Sequence, residues 1–279
     1  PCGVGPNRVS VLLVRETVEA LVQVIEAEGA APKVVVVYDT RRDSRRFAHV
    51  AARHMHARGM EVMLVDAPRA TPVLSFLVRE HGCGGGVVIS ASHNPPSDNG
   101  VKIYGADGAQ VLGARDAALT AAIERAASAP LPPLDMNAAL PTGPGGVRCL
   151  VGAELSSVVD EPYLRCVLDV GVRAGSLAPS GLSVVYTPLH GVGHAGVVPV
   201  VRARGVEAAC VEVPLAPDEG RFSTVQSANP EDPAAFELGL DLARSSDADL
   251  VIATDPDADR LGGLVKEAAG GFHFVDGNR

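Results

Sequence analysis

The chain has 279 residues, enough for two domains of ordinary size. Hydrophobic residues make up 47% and aromatics 4%, with no Trp, so the cores must be built from Val, Leu, Ala and Ile. A net charge of −9, from 24 basic and 33 acidic residues, argues against a general nucleic-acid or anionic-membrane surface, but it leaves room for a small phosphorylated ligand in a locally basic pocket. The five cysteines, Cys2, Cys83, Cys149, Cys166 and Cys210, form no Cys-x-x-Cys pair, which suits reduced thiols in a cytoplasm. Neither a signal peptide nor a membrane-spanning apolar run is evident.

After a turn at Val4-Gly5-Pro6-Asn7-Arg8, one-sided apolar spacing predicts a helix over 11–28 with Gly29 as its stop. The Val run in Lys33 to Tyr38 reads as a buried parallel strand. It ends in Asp39-Thr40-Arg41, at the carboxyl end of a strand, where α/β sheets bind ligands. Arg41 is open to two readings, a phosphate partner or a solvated basic turn. A helix over 44–58 carries His49, His54 and His56; they lack a His-Glu-x-x-His pattern and read as surface histidines. A strand over 61–65 and a helix opened by Thr71-Pro72 and closed by Gly82 follow.

Val87 to Ile89 is a short buried strand that breaks into a polar loop, Ser90 to Gly100. That loop gathers Ser92, His93 and Asn94, and it is stiffened by Pro95 and Pro96. Stiffness suits a serine that must meet a substrate in one orientation. No Gly-x-Ser-x-Gly elbow surrounds Ser92, which excludes the acyl-transfer hydrolase motif. Strands over 101–104 and 109–112 read as a hairpin, an antiparallel addition to a mostly parallel sheet. A helix over 114–127 leads into the Pro- and Gly-rich stretch 128–146, a linker or long surface loop.

The second half predicts a helix over 154–174 and strands over 182–186 and 208–213 around a helix ending at Arg204. Between them, His190-Gly191-Val192-Gly193-His194-Ala195-Gly196 contains Gly-x-Gly-x-x-Gly, with Glu212 near the position of a ribose-binding carboxylate. Pro188, Leu189 and His190 intervene between strand and glycines, which loosens the turn a nicotinamide-binding oxidoreductase needs. An irregular stretch over 214–233 and a helix over 234–243 follow.

A strand over 249–253 then runs into Asp255-Pro256-Asp257-Ala258-Asp259-Arg260, and a strand over 261–265 returns. A straight strand would spread the outer two carboxylates over about 13 Å, too far for one ion with ligands about 2 Å away, so the segment must curl. Three clustered carboxylates repel one another, and a divalent cation relieves this; oxygen-only ligands favour Mg²⁺ or Ca²⁺ over zinc. An EF-hand is excluded, because Arg260 stands where glycine is required and Lys266 where the twelfth-position glutamate belongs.

Ser90-Ala91-Ser92-His93-Asn94-Pro95, with Asn99-Gly100-Val101-Lys102, resembles the phosphoserine loop of the α-D-phosphohexomutases, the superfamily of phosphoglucomutase, phosphomannomutase and phosphopentomutase. The Asp-Thr-Arg at 39–41 and the aspartate loop match the same family, and Pro188-Leu189-His190-Gly191 and Asn229-Pro230-Glu231 point to its phosphoglucomutase/phosphopentomutase branch. The resemblance implies two consecutive three-layer α/β/α domains with mixed, mostly parallel sheets, over 1–150 and 151–275, with 276–279 opening a third. It implies a phosphosugar mutase that moves a phosphoryl group between the 1- and 6- (or 5-) positions through phospho-Ser92 and a bisphosphorylated sugar. Mg²⁺ would sit on Ser92, Asp255, Asp257 and Asp259, with a sugar bisphosphate as activator and a sugar phosphate as the small-molecule partner. His93 and Lys102 are the general-base candidates, Arg41 adds charge, and Asn94, Arg260, Arg8 and His190 would contact substrate or phosphate.

The chain starts at Pro1 and ends at Gly277-Asn278-Arg279, and it reads as part of a longer protein. The family's sugar-reading loop and distal phosphate site would then lie in a third and a fourth domain, and turnover by these residues alone would be poor. A non-catalytic sugar-phosphate-binding remnant is the alternative.

Overall fold

The structure is a computed structural model that describes residues 2, 8–135, 138–171, 180–211 and 219–275. Glu212 and the end of the strand expected over 208–213 lie outside the described residues. Two compact units emerge. The first comprises residues 1–39, 43–91 and 97–159; the second comprises 160–279 together with two short segments, 40–42 and 92–96.

The first unit begins with α1 (Val11–Glu28), capped by the Ser10 hydroxyl, which accepts from the Leu13 amide, and closed by Gly29 at φ 63°. It continues β1 (Lys33–Tyr38), α2 (Ser44–Ala57), β2 (Glu61–Val65), α3 (Thr71–Glu80), β3 (Gly85–Ile89), β4 (Val101–Gly105), α4 (Ala114–Ala127) and β5 (Arg148–Leu150). The strand order is β4-β3-β1-β2-β5, parallel except for β4. Alternation along β3 assigns the layers. A side chain at Gly85 would meet Leu21 and Ile25 of α1, whereas one at Gly86 would meet Leu74 and Val78 of α3, so the two helices cover opposite faces. The expected second hairpin strand reduces to a single antiparallel bridge, Tyr104 to Gln110. Beyond the Pro- and Gly-rich stretch the chain returns as β5 to the edge of this same sheet.

The helix expected over 154–174 is broken into α5 (Gly152–Leu155) and a π-helical turn over Ser156–Asp160, which end the first unit, and α6 (Glu161–Asp169), which opens the second; residues 172–174 lie outside the described residues. Then come β6 (Ser183–Thr187), α7 (His194–Ala203), β7 (Glu207–Cys210), α8 (Glu237–Ser246), β8 (Leu250–Thr254), β9 (Leu261–Lys266) and β10 (Phe272–Val275). The sheet order is β10-β9-β8-β6-β7. Its pairings divide evenly, β6 parallel to both β7 and β8, and β9 antiparallel to both β8 and β10. The expectation of mostly parallel sheets therefore holds for the first unit and is corrected for the second. The physical reason is the short turn after β8: a return through six residues can only form a hairpin, because a parallel return needs a crossover of a dozen or more.

The histidine reading is also corrected. His54 is 1% exposed. Its Nδ1 accepts from Arg15 Nε at 3.3 Å, and its Nε2–H donates to Glu19 at 2.8 Å. Burial holds His54 below the usual imidazole range against the pull of Glu19. Burial also raises the Glu19 carboxyl, but hydrogen bonds from Arg58, His54 and Gln23 more than offset this and leave it below the usual range. His49 bonds Asp66 at 2.8 Å and, like His56, is half-buried. Among the described residues no helix is long and apolar enough to cross a membrane, and no disulfide joins any of the five cysteines.

Glu19 thus ties α1 to α2 from a buried position, and removing it leaves His54 without its acceptor and Arg58 with Glu26 alone. Glu19→Ala is expected to destabilise the first unit by about 3 kcal/mol, as truncating one member of a buried ion pair does, read as a lowered midpoint in urea unfolding.

Candidate active site

The aspartate loop does curl. Beyond Thr254 at the end of β8, the Ala258 amide donates back to the Asp255 carbonyl at 2.9 Å, with Ala258 at φ 53°. The Asp255 carboxylate caps the turn, Oδ1 accepting from the amides of Asp259 and Arg260 at 3.1 Å each. As a result one oxygen from each of Asp255, Asp257 and Asp259 lies within 4.8 Å of the others. Asp255 and Asp257 are fully buried, while Asp259 is exposed. Burial, and then the charges of Asp257 and Asp259, push the Asp255 carboxyl up to about 7, although the hydrogen bond from Ser92 pulls the other way.

The glycines after β6 hold this loop from behind. The Val192 amide donates to the Pro256 carbonyl at 2.9 Å. A side chain at Gly191 would collide with the Pro256 backbone, and one at Gly193 with the Tyr186 and Thr254 hydroxyls, which bond each other at 2.7 Å. The Gly-x-Gly pattern is thus accounted for by close packing against the aspartate turn and needs no dinucleotide.

Ser92 belongs to this unit as well. It sits in the left-handed region at φ 53°. Its hydroxyl donates to Asp255 Oδ2 at 2.7 Å and lies 3.4 Å from His93 Nδ1. Burial, then the positive charge of Arg260, lowers the His93 pKa, with Glu231 and Asp257 opposing. Arg260 is half-exposed and lies 3.9 Å from Glu231. Arg41 is not the solvated basic turn that was one of its two readings. It is 3% exposed, and its guanidinium donates to the carbonyls of Ser92, Asn94 (2.7 Å) and Pro95 (2.7 Å). His190 is also buried; its Nε2 lies 2.7 Å from the Thr224 hydroxyl and accepts from the Thr224 amide at 3.3 Å.

Ser92, His93, Asn94, Arg41, His190, Asp255, Asp257, Asp259 and Arg260 thus share one unit. Lys102, on β4 opposite Val88, and Arg8, exposed beside the Cys2–Val9 bridge, belong to the other. Three supporting residues went unassigned in the sequence. Asn99 Nδ2 donates to Ser44 Oγ at 2.9 Å, and Ser44 Oγ donates to Asp39 Oδ1 at 2.7 Å, all buried. This relay ties the return of the serine loop to the end of β1. Its only signal in the sequence was a concentration of small polar residues at strand ends.

The α/β fold thus sets a serine hydroxyl on a loop-borne carboxylate cluster, two of whose three members are buried. Residues 3–130 match phosphoglucomutase/phosphomannomutase alpha/beta/alpha domain I, and residues 161–270 match alpha/beta/alpha domain II. The chain is 36% identical over 277 residues to a phosphoglucomutase of Staphylococcus epidermidis, covering 99% of this chain and 49% of the relative. It is 34% identical over 278 residues to a phosphoglucomutase of Staphylococcus aureus, covering 99% of this chain and 48% of the relative. A solved phosphoglucomutase/phosphomannomutase family protein from Burkholderia thailandensis superposes with a TM-score of 0.71 at 22% identity, over 97% of this chain and 54% of that one, which shows the shared fold. The chain belongs to the phosphoglucomutase/phosphomannomutase family, within the α-D-phosphohexomutase superfamily, and carries its first two domains. It spans about half the length of the curated relatives it matches.

The raised Asp255 pKa has a sign that is open to test. Between about pH 4 and 7 the folded state holds a proton that the unfolded chain has already released, so stability falls as pH rises through that window. Asp255→Asn removes the penalty while keeping an acceptor for the two amides. In metal-free protein this variant is expected to melt at or above the wild type at pH 8, with an advantage that shrinks as pH is lowered towards 4. Thermal melts in EDTA check this.

Proposed function

We propose that this chain is the phosphoserine- and metal-bearing part of a phosphosugar mutase, a phosphotransferase of the isomerase class. Its Ser92 would exchange a phosphoryl group between the 1- and 6- (or 5-) hydroxyls of a sugar through a bisphosphorylated intermediate. The observation that carries this reading is the 2.7 Å hydrogen bond from Ser92 Oγ to Asp255 within the aspartate cluster.

The donor set fits a hard divalent cation such as Mg²⁺: three carboxylate oxygens, two of them from fully buried residues, with repulsion already evident at Asp255. Asp255, Asp257 and Asp259 would hold the cation, with phospho-Ser92 as a further oxygen ligand. When bound it supplies counter-charge to the phosphoryl oxygens.

The chain's own residues supply position and further charge, as phosphoryl transfer requires. A sugar hydroxyl oxygen forms a bond to phosphorus while the bond from phosphorus to Ser92 Oγ breaks. The hydroxyl proton passes to a base, and Ser92 Oγ departs as the leaving oxygen. His93 is kept neutral by burial and Arg260, and so is able to accept a proton. Lys102 is the second candidate. Arg260 and Asn94 would contact the phosphate, and a sugar bisphosphate would restore phospho-Ser92.

Incubation with Mg²⁺ and glucose 1,6-bisphosphate is expected to place one phosphate on Ser92, mapped by mass spectrometry. EDTA should prevent the labelling. Ser92→Ala should abolish it while melting like the wild type, and label on that variant at the wild-type level would sink the assignment.

Mg²⁺ must also displace the proton that Asp255 holds below about pH 7. The rise in melting temperature on adding Mg²⁺ is therefore expected to be larger at pH 8 than at pH 5.5. An equal rise at both would remove Asp255 from the ligand set.

A further inference from the structure

Ser92 occupies a backbone region that costs a residue with a side chain about 1 kcal/mol or more, so something must hold it there. The groups that do so form a layered stack. Arg41 donates to the Ser92, Asn94 and Pro95 carbonyls, which fixes the loop from the strained residue through the three that follow it. The guanidinium carbon of Arg41 lies 5.1 Å over the centre of the Phe222 ring. Phe222 in turn stacks on His190, centroids 5.8 Å apart and planes 18° off parallel. The His190 carbonyl accepts from the Thr40 hydroxyl at 2.7 Å, which closes the circuit back to the residue beside Arg41.

Phe222 is 2% exposed and itself adopts φ 53°, an outlier for a bulky side chain. It lies in a turn where Gly220, at φ 73°, abuts the backbone of Arg41 and Arg42. Strain of this kind persists only where the surroundings over-determine it, and here those surroundings are the Arg41 side chain and the His190 ring.

We propose that Phe222, through its contact with Arg41, is a positioning residue that holds the serine loop with Ser92 Oγ directed at Asp255. Arg41 acts in the same way, as the clamp on the loop backbone, and His190 as the backing of the ring. The consequence for turnover rests on Ser92 being the phosphoryl carrier. A planar, always-charged fork that meets three carbonyls and an aromatic face at once is a role lysine cannot fill.

The test uses Phe222→Leu and Arg41→Lys in the 279-residue chain. Amide hydrogen exchange of the peptide spanning 90–97 is expected to quicken about tenfold in both variants, while peptides from β3 and β8 keep wild-type protection. Phosphoryl uptake by Ser92 from glucose 1,6-bisphosphate should slow about 100-fold, as for a displaced reacting group. The Mg²⁺-dependent rise in melting temperature should be retained, because the aspartates are untouched; a merely structural loss would lower both together. Should Phe222→Leu fail to fold, Arg41→Lys decides alone. Wild-type exchange over 90–97 in a folded variant overturns the clamp. If the wild type takes up no phosphate, the phosphoserine reading falls, and the exchange contrast by itself still upholds or rejects the clamp.

Discussion

The arrangement of the second unit follows from the difficulty of keeping three carboxylates on one turn. Asp255 and Asp257 are withdrawn from solvent, and burial together with the charges of Asp257 and Asp259 makes Asp255 harder to ionise. The turn survives because its backbone is held from several sides. The Asp259 and Arg260 amides are aimed at Asp255, the Ser92 hydroxyl donates to it, and the Gly191–Gly193 turn backs onto Pro256. These are the kinds of contacts that hold a charge in place without neutralising it.

Backbone strain collects at the same place. Among the described residues, eight other than glycine have positive φ, and six of them (Ser92, Leu189, His190, Glu219, Phe222 and Ala258) lie in loops of the second unit. A fold tolerates such conformations where packing and hydrogen bonding over-determine them, and functional sites are where they persist. The buried charge of Arg41 belongs to this scheme. Its guanidinium is committed to loop carbonyls and an aromatic face, so its contribution is geometric more than electrostatic.

The first unit shows what periodicity conveys and what it leaves out. The apolar face of α1, its Gly29 stop and the Val run of β1 were legible because local pattern and tertiary burial agree there. His54 was not: a histidine on an amphipathic helix reads as polar, and only the arrival of Glu19 and Arg15 from α1 makes a buried site for it. The helix expected over 154–174 is interrupted by a π-helical turn at 156–160 that no spacing rule announces.

The sequence by itself determined the two chemical loops, since a stiff Ser-His-Asn-Pro-Pro segment and three alternating aspartates are defined by residue type and spacing along the chain. It likewise determined the α/β class, through alternating helical and strand periods. Tertiary structure decided that Ser92 donates to Asp255, 163 residues away, that Arg41 clamps a backbone and that Phe222 backs it. It also decided that the Gly-x-Gly turn packs on a proline. These are contacts between segments remote in sequence, and they depend on strand order and on the directions in which side chains leave their backbones, neither of which is written in local pattern.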